Sequence, residues 1–198
     1  MEKFNIAILL LSILVALSGW ATLGYQVLTS KPKLIGRVFN VIIGEIAEPE
    51  IFNGHHTSFL TYLYIINERK NSVHILDYEL EIDVGNGFER LYRAYGVQNI
   101  QNWGFLSDKY QISIPDFTNK LIYAENRPVE YGTPLHGFVV FTSEHPKSDY
   151  VSNMENNKYR LTIIDAFQNK YVFTVSPDTF PSLFLLQDLA GINFTPLN

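Results

Sequence analysis

The chain contains no cysteine. That absence excludes a disulfide framework, thiolate metal sites and every thiol mechanism, and it reports no compartment. Basic clusters are missing too: no group of four or more Lys or Arg occurs, and 20 acidic against 15 basic residues leave a net charge of −5. Nucleic-acid binding, which rests on phosphate neutralisation by a cationic face, is therefore not expected. Nor is there a Gly-x-Ser-x-Gly elbow, a P-loop, a dinucleotide fingerprint or a His-Glu-x-x-His helix. No repeat is evident, and no motif commits the chain to a reaction.

What the chain does have is an apolar run from Ile6 to Leu28, with Gln26 its one strongly polar side chain. At about 1.5 Å per residue, roughly 20 such residues cross a hydrocarbon layer of about 30 Å. The pattern predicts an N-terminal transmembrane helix over residues 1–30, with Trp20 and Tyr25 toward the second interface. A cleaved signal peptide is the alternative, because Ile6 to Val15 is followed by the small-x-small sequence Ala16-Leu17-Ser18. Lys31-Pro32-Lys33 ends the helix, which argues against a pilin-like subunit whose helix continues into the globular part. Lys31, Lys33 and Arg37 outnumber the cations before the run and by themselves favour a cytoplasmic C-terminal side. Long domains translocate largely regardless of such charges, and an extracytoplasmic domain is expected.

Residues 31–198 read as one β domain. Aromatics reach 14%, with 12 Tyr and 14 Phe, as suits pleated faces. Strands are expected at Leu34 to Ile46, Phe59 to Asn67, Val73 to Val84, Phe88 to Tyr95, Tyr110 to Ile114, Lys120 to Ala124, Pro128 to Tyr131, Leu135 to Thr142, Tyr159 to Ala166 and Lys170 to Ser176. Phe59 to Asn67 is apolar on both faces, like a central strand. Val73 to Val84 alternates strictly: Tyr78, Leu80, Ile82 and Val84 on one face, Asp77, Glu79, Glu81 and Asp83 on the other. Gly85-Asn86-Gly87 then signals a hairpin. A two-residue turn would set Asp83 opposite Arg90, and a three-residue turn Glu79 opposite Arg93. Ser143 to Lys158 is polar and reads as a loop. Phe180 to Ala190 has helical spacing, so a short C-terminal helix over about 179–190 is expected, closed by Gly191.

The strand count makes the chain resemble, in outline, an antiparallel immunoglobulin-like or fibronectin-like β-sandwich. The Cys and core-Trp pattern of true immunoglobulin domains is absent. The resemblance implies architecture alone, because such sandwiches host adhesion, assembly, sensing and some catalysis.

Two constellations invite a functional reading. In the acidic stripe Asp77, Glu79, Glu81 and Asp83, alternate residues lie about 6.6 to 6.8 Å apart. Such a pair can flank a glycosidic bond or a hydrated cation, or it can be a solvated face relieved by Arg90 and Arg93. Trp103 and Phe105 sit in a loop-like stretch as candidate partner-binding residues, or they plug the end of the fold. The five histidines, His55, His56, His74, His136 and His145, have no metal-ligand spacing; His74 reads as half-buried in an apolar strand, and no metal or cofactor is expected. The expected function is a non-catalytic binding or assembly module, attached to a membrane through Ile6 to Leu28 and facing a protein or envelope partner. The alternatives are a carbohydrate-active or metal-dependent hydrolase on the acidic stripe, and a soluble domain secreted after cleavage.

Overall fold

A computed structural model describes residues 2–46, 49–95, 102–106, 110–123, 127–152, 154–176, 187–188 and 190–196, with side chains for all of these except 2–11, 27–30, 51–52, 102, 105–106, 110, 194 and 196. The apolar run forms one helix, α1 (Glu2–Ser30). Ten strands follow: β1 (Leu34–Glu45), β2 (Thr57–Asn67), β3 (Ile75–Asp83), β4 (Phe88–Arg93), β5 (Asn102–Leu106), β6 (Tyr110–Pro115), β7 (Leu135–Ser143), β8 (Lys158–Asp165), β9 (Lys170–Val175) and β10 (Asn193–Pro196).

The expected sandwich is not what these strands build. Seven of them hydrogen-bond in one antiparallel sheet, in the order β1-β2-β7-β4-β3-β8-β9, and the sheet curls until it is nearly a barrel. The join that a sandwich would lack is β4 to β7, where Tyr92 faces Thr142 and Arg93 faces Phe141. Alternation along a strand specifies which face is buried, and that requirement is met equally by two stacked sheets or by one sheet wrapped on itself. The inward face gathers Val38, Phe59, Leu63, Leu80, Ile82, Phe141, Leu161 and Ile163 into the main core.

A small sheet, ordered β10-β6-β5, lies over the outer face of β2 and β7. There Ile112, Ile114 and Phe117 meet Leu60, Tyr62, Phe138 and Val140 in a second core. This accounts for the two apolar faces of β2, since one looks into the barrel and the other is roofed. The strands β5 and β10 have no counterpart in the expected set. Conversely, residues 121–123 and 129–131 make only isolated bridges, Leu121 to Phe138, Val73 to Val129 and Asn67 to Tyr131. The polar stretch after β7 is more ordered than a loop. It carries the helix α2 (Ser148–Val151) and a 3-10 turn at Met154–Asn156, and it drives Tyr150 into the core against Phe59, ring centroids 4.9 Å apart.

The N-terminal expectation also needs correction. Among the described residues, no helix is long and apolar enough to cross a membrane. Side chains of α1 are described over residues 12–26. Within that stretch Leu14, Val15, Leu17, Trp20, Leu23 and Tyr25 are all exposed. At about 100° per residue they point around the whole circumference. The expected C-terminal helix falls mostly outside the described residues. Gln187, Asp188 and Ala190 are helical, and Gly191 closes them with φ 59° and an N–H donated to the Gln187 carbonyl at 2.9 Å.

The barrel's seam lies between β1 and β9, where no ladder forms. An added Cβ at Gly36 would stand 3.0 Å from the Phe173 ring and 3.1 Å from Ile163 Cδ1. Glycine thus lets the first and last strands approach across side chains. Gly36→Ala should lower the urea midpoint by an amount worth about 1 kcal/mol, and combining it with Phe173→Ala should cost less than the sum of the single changes, because the second change removes the clash. Full additivity would show that the seam is not packed in this way.

Candidate functional site

The strand β3 places the acidic stripe on the outer barrel face, between β4 and β8. Its register differs from both expected turns: Asp83 faces Phe88 and Glu81 faces Arg90, so four residues, Val84 to Gly87, make the turn. On the other side Glu81 faces Arg160 of β8. Each carboxylate is consequently engaged. Asp77 accepts bonds from Arg93 and from Tyr95 Oη, and the Arg93 guanidinium lies over the rings of Tyr78, Tyr95 and Tyr123 at 5.4, 4.6 and 5.1 Å. Glu79 takes Arg90 Nη2 at 2.9 Å and has Lys170 Nζ at 3.5 Å. Glu81 receives Arg160 Nε and Nη2 at 2.5 and 2.6 Å, a bidentate fork. Asp83 accepts the backbone N–H of Gly85 and of Gly87 at 2.8 and 2.9 Å.

These contacts set the chemistry of the stripe. The Arg160 hydrogen bonds hold the Glu81 carboxyl below the ordinary glutamate range, and the two turn N–H groups do the same for Asp83. A glycosidase acid needs the opposite, a carboxyl kept protonated near neutrality. Four carboxylates met by Arg, Lys, Tyr and backbone donors form a cross-strand charge ladder that supports the sheet. Among the described residues no three His, Cys, Asp or Glu gather as a metal site. His74, expected half-buried, is exposed.

Trp103 stands on β5, a strand where a loop was expected. Its ring is half-buried against Phe117, centroids 4.9 Å apart, at the edge of the second core. Phe105 pairs with Ile112 through the backbone, and its side chain lies outside the described residues.

A site that the sequence did not suggest lies at the barrel end where β1, β3 and β7 finish. Val84, Asn86, Glu89, His145, Asp149, Tyr150, Ser152 and Asn157 line a cleft of about 420 Å³. Its floor is a fixed polar network. Tyr150 Oη donates to Glu89 at 3.0 Å and shares a 2.6 Å bond with Ser143 Oγ, which also accepts the His145 backbone N–H at 3.1 Å. Asn157 Nδ2 donates to the Tyr150 carbonyl at 2.8 Å, and Thr57 Oγ1 to the His145 carbonyl at 2.7 Å. Burial pushes the Tyr150 hydroxyl up to about 12, so it stays a neutral donor.

Ser143, His145 and Glu89 are the residue types of an acyl-transfer triad, but their geometry is not that of one. The His145 ring meets Glu89 at 3.6 Å, while only its backbone nitrogen reaches the serine, whose side chain is buried. The cleft offers Asn86, Glu89, His145 and Asp149 to solvent as hydrogen-bonding and charged groups around a rigid floor. In sequence, the only trace of it was the Gly85-Asn86-Gly87 turn and the polar stretch Ser143 to Lys158, with nothing to indicate that they meet.

Comparison with known proteins adds little to this geometry. No family model and no curated protein matches the chain. A solved structure with distant similarity is described as a "putative lipoprotein" of Bacillus subtilis, at 9% identity and a TM-score of 0.42. The match covers 76% of this chain, which spans 39% of that protein's length.

Proposed function

We propose that this chain is a non-catalytic binding or assembly module, held at a lipid surface by its apolar N-terminal segment, Ile6 to Leu28, with the β domain outside the cytoplasm. The observation that carries the reading is α1 itself. Large apolar side chains are exposed around its circumference, from Leu14 through Trp20 to Tyr25, and no soluble helix is normally apolar on every side. The polar side chains in its middle turn inward: Ser18 Oγ donates to the Val15 carbonyl and Thr22 Oγ1 to the Ser18 carbonyl, both at 2.8 Å. That arrangement leaves no hydroxyl of the pair seeking water, as an apolar medium requires.

The barrel supports a presenting role. β1 begins next to α1, and the polar cleft lies at the far end, about 33 Å away along the length of β2. A ligand or partner there would meet Asn86, Glu89, His145 and Asp149. A non-catalytic role is supported by the stripe, whose carboxylates are committed to arginine and backbone donors. Flanking cations do not hold back a domain of this length during translocation.

A single experiment tests attachment and side together, and the missing cysteines make it clean. In the Asn86→Cys chain the introduced thiol is unique. The chain should sediment with membranes, resist a high-salt wash, and react with a membrane-impermeant maleimide in intact cells. Recovery in the soluble fraction would overturn attachment, whereas labelling only after lysis would overturn the outside placement.

A further inference from the structure

The end of the barrel opposite the cleft has a chemistry of its own. There the Lys33 carbonyl accepts the Glu68 N–H at 2.9 Å, Leu34 faces Asn67, and the Asn67 carbonyl accepts the Gly132 N–H at 3.1 Å. The start of β1, the β2–β3 turn and the turn at Tyr131 are thereby tied together beside the last turns of α1. A groove of about 440 Å³ runs between them, lined by Tyr25 and Gln26 from the helix and by Glu68, Arg69, Lys70, Asn71 and Tyr131 from the barrel. Lys31, Lys33, Arg69 and Lys70 concentrate positive charge here, against Glu68 and Glu130. Lys33 already offsets Glu68, with Nζ 2.7 Å from its carboxylate. This end is net positive on a chain whose net charge is −5.

We propose that this barrel end is a headgroup-binding face that seats the domain on an anionic bilayer. The inference rests on the attachment reading above and adds to it a lipid class and an orientation. Three features of this barrel end agree on it. Cations at the root of an apolar helix are drawn to anionic headgroups, each worth a factor of about five in partitioning. Tyr25 and Tyr131 are 69% and 61% exposed on the two walls of the groove, and amphipathic rings of this kind favour the headgroup level. The groove is continuous with α1, so once the helix enters lipid, residues 68–71 and 131 are brought to the surface with no further search.

The test uses the full chain in vesicles of phosphatidylcholine alone or mixed with phosphatidylglycerol, read by flotation and by amide exchange at residues 68–71 and 130–132. Expected are flotation with both vesicles and exchange at least about fivefold slower in the anionic ones. High salt should erase the slowing, as should the double change Arg69→Gln and Lys70→Gln, while amides of β2 and β7 remain unchanged. Flotation with both vesicles but equal exchange would overturn the headgroup face and leave attachment standing. Failure to float with either would overturn attachment, and the face with it.

Discussion

Gly137→Ala is expected to cost about 3 kcal/mol or more, read as a fall in the urea midpoint at unchanged slope. Gly137 lies in β7 directly beneath the chain that roofs it. A Cβ there would stand 2.7 Å from the Ile122 nitrogen, 2.8 Å from its Cα and 2.8 Å from the Lys120 carbonyl oxygen. These are backbone atoms, so no rotamer change relieves the overlap. Nor can the crossing segment lift freely, since the Ile122 N–H donates to the Phe138 carbonyl at 3.0 Å and Leu121 bridges the same residue. Raising it would open the second core, where Leu121 and Phe138 are both buried. Gly104→Ala is the control. Its Cβ would be 3.7 Å from the nearest atom, an ordinary contact, and the change should fall within about 0.5 kcal/mol of the parent. Equal effects at the two glycines would mean that the roof does not cross β7 as described.

The second large effect is expected at Asp165, the last residue of β8. Its buried carboxylate accepts the backbone N–H groups of Phe167 and Asn169 at 2.9 Å each, Asn169 Nδ2 at 2.9 Å and Tyr171 Oη at 3.1 Å. Burial by itself would raise its pKa, but the hydrogen bonds from Asn169, Phe167 and Tyr171 together outweigh that and hold the carboxyl below the ordinary aspartate range. Asp165→Ala leaves these donors without their acceptor and should cost about 3 kcal/mol in urea unfolding. The pH dependence follows from the sign of the shift. With the folded pKa below the unfolded value of about 3.9, the stabilisation is fully present above that value. It is lost as pH falls through the lower, folded pKa. Asp165→Asn should therefore be less stable at neutral pH and should show a flatter acid limb than the parent. Identical acid limbs would show that this carboxylate does not drive acid unfolding.

Those two residues mark the limit of what the chain discloses in one dimension. Strand positions were legible where alternation is strict. The Val73 to Val84 pattern became β3 with Tyr78, Leu80 and Ile82 buried and the acidic residues outward, and the expected strands Tyr159 to Ala166 and Lys170 to Ser176 became the paired β8 and β9. The role of Asp165 was not legible, because an aspartate ending a strand looks like any other turn residue until its four donors converge on it. Gly137 lies within an apolar strand, and only the crossing of residues 120–122 shows why a side chain is excluded there.

The acidic stripe was visible as a stripe, yet its meaning depended on register. A turn one or two residues shorter would have moved Arg90 and Arg93 opposite other residues of β3. The cleft was invisible because Glu89 is more than fifty residues from His145, Tyr150 and Asn157 and meets them only through β4, β7 and the helix α2.

Local periodicity alone determined the apolar leading helix, the β character of the body and the inward and outward faces of its strands, since these depend on neighbours two to four residues away. The closure of one sheet into a near-barrel, the second core under the small sheet, and the assignment of a polar end and a cationic end were decided by pairings between residues dozens of positions apart. Alternation repeats every two residues and is the same whichever strand lies alongside, so it carries no record of the partner; that choice belongs to the packing of the whole.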